Sequence, residues 1–195
     1  MKRLFGTNGV RGITNESMTT ELALRLGKAI GSYFQGNIII ATDTRTSNEM
    51  LKNAVTAGLI ATGCNVFDAK IAPSPALQYY VKHSDADAGV IITASHNPPQ
   101  FNGIKVIDKD GIELAREKEK EIERIYFSEH FHRVAWNEIG KVYDIDILDF
   151  YIEGILDSID IDMIKRRNFK FLLNRLHSPL TKSFKIPSHY SRNRI

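Results

Sequence analysis

The stretch "IITASHNPPQFNGIKV", Ile91–Val106, stops a buried run at Thr93 and displays Ser95 and His96 before a second run resumes at Gly103. "AGVIIT" (Ala88–Thr93) and "GIKVI" (Gly103–Ile107) read as two buried strands, the second closed by the turn "DKDG", Asp108–Gly111. Further out, "NIIIAT" (Asn37–Thr42) is a continuous apolar run and "NVFDA" (Asn65–Ala69) a further strand. Helical spacing fills the intervals. Thr19 is placed to cap a helix carrying Leu22, Leu26, Ala29, Ile30 and Tyr33, with Glu21 in its first turn. Ser47 is placed to cap a second, carrying Leu51, Ala54, Val55 and Ile60, and Gly63 to end it. Ser74-Pro75 opens a short helix through Tyr80 as N-cap and first helical residue. Ala115–Ser128 is amphipathic, with Ile122, Ile125 and Tyr126 on one face. Strands and helices alternating through short connections predict an α/β fold, a three-layer α/β/α sandwich.

At 195 residues and 43% hydrophobic, the chain can form one full domain and part of a second. Residues 1–140 read as the first, ending in a linker, His130–Lys141, that Trp136 anchors onto the domain. A helix over Ile145–Ile159 and a strand in "NFKFLL", Asn168–Leu173, start an incomplete second α/β domain over 141–170, and 171–195 form an atypical basic tail. The chain holds 26 Lys and Arg against 23 Asp and Glu, but nine of the basic residues and no acidic one lie in Met163–Ile195. The first 162 residues therefore carry 17 basic against 23 acidic side chains, which argues against a nucleic-acid-binding body. Phe184 and Tyr190 are too sparse to make the tail an attractive RNA or membrane arm. No apolar run nears the roughly 20 residues of a membrane span, and "MKRLFGTNG" lacks an apolar signal segment. The one cysteine, Cys64, reads as a small buried hydrophobe in a reducing compartment. The expected setting is cytoplasmic, without nucleic-acid or membrane partners.

Open α/β sheets bind ligands beyond the carboxyl ends of their strands. "TDTR", "APSP" and "TASHNP" all fall there. Ser95 alone would be an ordinary turn residue. Its long loop, stiffened by Asn97-Pro98-Pro99, favours a functional one. Lys105 alternates with Ile104 and Val106, so it points away from the apolar face, toward the serine across the loop. A hydrolytic triad fits poorly, because His96 adjoins Ser95 and no G-x-S-x-G turn is present. A serine without a dedicated base suits phosphoryl carriage beside cations better. "FGTNGVRG", Phe5–Gly12, sets Arg11 among three glycines, so that backbone and guanidinium can both approach an oxyanion. On its own it is equally a Gly-rich turn with a surface arginine, and it matches neither common phosphate-loop pattern.

Taken in order, "FGTNGVRG", "ATDTR" (Ala41–Arg45), "APSPAL" (Ala72–Leu77) and "TASHNPPQFNGIK" (Thr93–Lys105) resemble the first domain of the α-D-phosphohexomutases. That family comprises phosphoglucomutases, phosphomannomutases and phosphoglucosamine mutases. The resemblance implies a mixed sheet and a set of roles. Ser95 would carry the phosphoryl group, give it to a hexose phosphate to form a bisphosphate, and recover the other phosphate once the sugar has turned over. His96 and Lys105 would position the reacting hydroxyl and exchange its proton, and Arg11 would steady the phosphoserine. Asn97 and Asn8 match substrate-binding positions, and Asp43 and Arg45 a structural pair near the cleft. A phosphate oxygen on Ser95 would be a ligand to Mg²⁺, with a hexose 1,6-bisphosphate as activator and a hexose phosphate as substrate.

The departures are equally specific. The chain has no "DGDGDR"-type metal loop, no "GEMSGH"-type sugar loop and no "RxSGTEP"-type phosphate loop. Asp157, Asp160 and Asp162 lack the glycines and read as a helix end, and His130 and His132 as linker surface. The expectation is a phosphoryl-transfer portion that is inactive alone; the alternative is a non-catalytic remnant or binding module of the same fold.

Overall fold

Thr19 caps the first helix as its position suggests, its hydroxyl accepting from Leu22 N at 3.2 Å. The computed structural model describes residues 3–167, so the strand expected in "NFKFLL" and the basic tail lie outside the described residues. The order is β1 (Val10–Ile13), α1 (Thr20–Phe34), β2 (Asn37–Thr42), α2 (Asn48–Ile60), β3 (Asn65–Ile71), α3 (Ser74–Lys82), β4 (Ala88–Ile92), β5 (Phe101–Asp108), α4 (Arg116–Ser128), β6 (Val142–Asp144), α5 (Leu148–Ser158) and α6 (Ile161–Arg166). The sheet runs β1-β5-β4-β2-β3-β6. β2, β3, β4 and β6 are parallel neighbours, while β5 is antiparallel to both β4 and β1, so the sheet is mixed.

The apolar runs are continuous because both faces of the sheet are covered. Ile38, Ile40, Val90, Ile92, Ile104 and Val106 face α1, α2 and α4 through Leu26, Ile30, Leu51, Val55, Leu59 and Ile122. Ile39, Ala41, Ile91 and Ile107 face α3, meeting Leu77 and Val81. The result is the expected α/β/α sandwich. Between α1 and α2 the axes come very close: a Cβ on Gly58 would meet Lys28 N at 2.7 Å and the Leu24 carbonyl closer still.

Four local expectations need correction. Ser47 does precede α2, but its hydroxyl makes no capping bond; it accepts from Asn102 Nδ2 at 2.8 Å instead. Pro73, not Ser74, is the N-cap of α3. Trp136 is 87% exposed and does not anchor the linker onto the described domain. The segment around it is held by backbone donors, His132 N to Ser32 Oγ at 2.8 Å and Gly140 N to Ile60 O at 3.0 Å. The helix expected over Ile145–Ile159 begins later, at Leu148, because β6 precedes it. β6 lies just past residue 140 and pairs with β3, from Val66↔Val142 to Asp68↔Asp144. Ile147 after it is fully buried against the α3-side core. Cys64 is buried as expected, and that burial pushes its thiol pKa up.

Glu123 of α4 ties the Gly-rich N-terminal segment to the domain. Its Oε1 accepts from Leu4 N at 2.8 Å and Phe5 N at 2.9 Å, and Arg116 Nη2 sits 3.0 Å from Oε2. Burial alone would raise this carboxyl, but the Phe5 and Leu4 amides and then Arg116 outweigh it, and the pKa falls below the ordinary 4.5. A group depressed in the folded state stabilises above its unfolded pKa, and that contribution disappears as pH falls through the folded value. We therefore expect the melting temperatures of the parent and of Glu123→Gln to differ most at neutral pH. The gap should close steadily below about pH 4.5, as followed by circular dichroism.

Candidate active site

β2, β3 and β4 run parallel, so the segments that follow them emerge on the same edge of the sheet. There they line a cleft of about 830 Å³, walled by Asp43–Thr46 after β2, Ala72–Ser74 after β3, and Thr93 with Ser95–Pro99 after β4. This is where an open α/β sheet places its ligand. A smaller cavity of about 290 Å³ lies at the amino ends of β2 and β4, lined by Asn37, Tyr80, Asp85 and Ile145 among others, away from these loops.

Ser95 stands exposed at the lip of the larger cleft, with a backbone φ of +57°. A non-glycine residue adopts that left-handed conformation only under constraint from its surroundings. The constraint is visible. Ser95 N donates to Thr93 Oγ1 at 3.0 Å, and Thr93 Oγ1 donates to Asp43 Oδ2 at 2.7 Å. On the other side, the Ser95 carbonyl accepts from Arg45 Nη2 at 2.9 Å. His96 brings Nδ1 to 3.4 Å from Ser95 Oγ, so the adjacent pair does meet.

Arg11 is the second expected partner that reaches the loop. Its Nη1 lies 3.4 Å from Asn97 Oδ1 and 3.5 Å from the Ala94 carbonyl, and its Nε donates to Asn8 O at 3.2 Å. Gly103 makes room for this approach, because a Cβ there would meet Arg11 Cγ at 2.9 Å and Thr93 O at 2.8 Å. Of the two asparagines, Asn97 lines the cleft, and Asn8 contributes its carbonyl to Arg11.

Lys105 is placed differently from the expectation. The strand alternation holds, with Ile104 and Val106 on one face and Lys105 on the other, but the other face is also buried, beneath α3. Lys105 is 8% exposed, stands opposite Ile91 in the ladder, and gives Nζ to Glu113 Oε1 at 2.8 Å. Its ammonium is thus held by a carboxylate, and the residue does not line the cleft.

Arg45 is the residue whose part the sequence understated. It contacts the Ser95, Asn97, Pro98 and Phe101 carbonyls and its own neighbour Asp43. Behind it, Asn48 Nδ2 donates to Asp43 Oδ1 at 2.6 Å and Asn102 Nδ2 to Asn48 Oδ1 at 2.7 Å, a buried polar chain reaching β5. The sequence signal for it is a polar Asn102 near the start of β5, just ahead of the apolar Ile104 and Val106.

For Mg²⁺ the described residues do not suffice. Asp43 is the one carboxylate among those lining the cleft, and both its oxygens are taken by Arg45, Asn48 and Thr93. No group of three or more His, Cys, Asp or Glu among the described residues is arranged to hold a metal.

Comparison with known proteins bears on the fold and the family. The family model described as phosphoglucomutase/phosphomannomutase, alpha/beta/alpha domain I, matches residues 2–133. A phosphoglucomutase/phosphomannomutase of Thermococcus kodakarensis is 48% identical over 173 residues, covering 86% of this chain and 38% of the relative. A phosphoglucosamine/phosphogalactosamine mutase of Sulfurisphaera tokodaii is 47% identical over 182 residues, 91% of this chain and 40% of its own. The crystal structure of a phosphoglucomutase/phosphomannomutase family protein from Burkholderia thailandensis superposes with a TM-score of 0.71 over 80% of this chain and 36% of that one; at 24% identity it speaks for the fold alone. The chain thus spans about two fifths of the length of these curated relatives. It belongs to the phosphoglucomutase/phosphomannomutase family, whose α/β/α domain I it carries.

Proposed function

We propose that this chain supplies the phosphoryl-accepting half of a hexose-phosphate mutase reaction, with Ser95 as the acceptor. The observation that carries the reading is Ser95 itself, strained at φ +57° on the lip of the cleft and tied on both sides of its backbone. Strain of that kind is retained where the surroundings impose it, and it clusters at sites that do chemistry. The step is a displacement at phosphorus. The bond from Ser95 Oγ to phosphorus forms as the ester bond to the sugar oxygen breaks, and the serine proton passes to that oxygen. His96, 3.4 Å from Oγ, is the side chain placed to relay it. Arg11, with long contacts and no carboxylate partner among the described residues, can turn toward the incoming charge. Lys105 would join only by leaving Glu113.

Hexose phosphates as substrates, Mg²⁺ and a cytoplasmic setting belong to the same proposal; among the described residues no helix is long and apolar enough to cross a membrane. The division near residue 140 also stays a proposal, with β6 and Ile147 fastening whatever follows to the first sheet. The metal, sugar and distal-phosphate loops that the resemblance implies are not in this sequence. Uptake of one phosphoryl group without sustained turnover is therefore the expected behaviour of the polypeptide alone. Intact mass after incubation with glucose 1,6-bisphosphate in a Mg²⁺ buffer tests it. A gain of one phosphoryl group supports the reading, and an unchanged mass for chain shown to be folded by circular dichroism contradicts it.

A further inference from the structure

We propose that Arg45, acting with Asp43 and Thr93, is a positioning residue that locks the serine loop and takes no part in holding the phosphoryl group. An arginine lining a phosphate-transfer cleft would ordinarily be assigned to the phosphate. The hydrogen-bond count assigns it elsewhere. A guanidinium has five N–H donors, and here all five have acceptors. Nε donates to Asp43 Oδ2 at 3.2 Å, Nη1 to Pro98 O and Phe101 O at 2.8 and 2.9 Å, and Nη2 to Ser95 O and Asn97 O at 2.9 and 2.7 Å. The fork therefore grips the loop where it leaves β4 and again where it rejoins β5.

These bonds close a ring around Ser95. Asp43 Oδ2 holds the Thr93 hydroxyl, which holds Ser95 N, while Arg45 holds Ser95 O and returns to Asp43 Oδ2. Both peptide groups that define φ and ψ at Ser95 are thus pinned to a single carboxylate, and Asn48 and Arg45 N fix its other oxygen. A closed ring of this kind is what keeps a serine at φ +57°. Arg11 is the contrast. Its three contacts lie at 3.2–3.5 Å and none is to a carboxylate, so it can leave them at little cost.

The consequence for catalysis rests on Ser95 being the acceptor, whereas loop order can be measured without that premise. Arg45→Lys keeps the charge but not the fork; Thr93→Val removes the hydroxyl at nearly constant shape, and Thr93→Ser restores it. Hydrogen exchange of amides in residues 94–101, read by mass spectrometry, reports the clamp directly. Arg45→Lys and Thr93→Val should each speed it by about tenfold or more, and Thr93→Ser should not. The initial rate of phosphoryl uptake from glucose 1,6-bisphosphate is read in parallel. Its maximum should fall on the order of 10²-fold in the two disruptive variants, with the half-saturating concentration unchanged. Unaltered exchange in both variants overturns the clamp, as does an Arg45→Lys variant whose only defect is weaker bisphosphate binding. Absence of uptake by the parent would count against Ser95 as acceptor, and the exchange arm would still decide the clamp.

Discussion

Replacing Ser95 by glycine should abolish phosphoryl uptake while leaving the melting temperature equal to or above that of the parent. Loss of the Ser95 hydroxyl removes the oxygen that the proposal assigns as acceptor, and with it the reaction. The stability half follows from backbone geometry. Holding a non-glycine residue in the left-handed region costs roughly 1–2 kcal/mol, and glycine pays no such cost. Glycine's freedom in the unfolded chain gives back about 0.5–1 kcal/mol, so the net change lies between zero and a small gain. Ser95→Ala, which keeps the strain and loses the hydroxyl, should be equally inactive and no more stable than the parent. Gradual thermal melts and intact mass on the three proteins settle both halves. A strongly destabilised Ser95→Gly would mean that the serine is there for structure.

The largest structural effect should come from Gly58→Val. The α1–α2 contact leaves no space at this position, since the first carbon added runs into backbone at Lys28 N, 2.7 Å away, and at the Leu24 carbonyl. Backbone cannot step aside as a flexible side-chain end can, so the two helices must separate. Leu26, Ile30, Leu51, Val55 and Leu59 form the layer between those helices and the sheet, and all five would lose packing together. Overpacking in a core typically costs 1–3 kcal/mol, and a β-branched residue at a backbone contact belongs at the upper end, about 3 kcal/mol or beyond. For a chain of this length that is a drop on the order of 10 °C in melting temperature. Ala57→Val, one residue earlier on the exposed side of α2, introduces the same β-branched side chain without the collision, at a helix-propensity cost of about 0.5 kcal/mol that Gly58→Val does not carry, glycine being the poorer helix former. A Gly58→Val variant that melts with Ala57→Val would refute the close crossing.

The parts of the molecule legible in its sequence are those where local chemistry and burial coincide. "NIIIAT" and "AGVIIT" are apolar throughout because helices cover both faces, and they appear as β2 and β4 almost to the residue. β6 is not legible: its three residues are all exposed, and apart from the backbone pairing only Tyr143 stacked on Phe67 and Asp144 paired with Lys70 tie it to β3, which leaves no apolar periodicity. β1 is short, with Gly12 inside it, so it reads as part of a Gly-rich turn. Within the site, Ser95 and His96 were visible because a proline-stiffened polar loop interrupting a core strand is conspicuous. The reach of Arg45 was hidden, because four of its five acceptors are main-chain carbonyls and any residue can supply those. Lys105 shows how a correct step can mislead. Its alternation with Ile104 and Val106 is real, yet in a sheet covered on both faces the opposite side is also interior.

Ser95 Oγ and His96 Nδ1 lie 3.4 Å apart, and either atom is a chemically competent phosphoryl acceptor. The most direct measurement is therefore the chemical identity of the phosphorylated residue after incubation with glucose 1,6-bisphosphate. The labelled chain is divided, one half is treated with acid, and both are mapped by tandem mass spectrometry. The predicted result is an acid-stable serine ester confined to Ser95 and present in both halves. An acid-labile label, a phosphoryl group on His96, or modification at any other residue with Ser95 free would contradict the central claim.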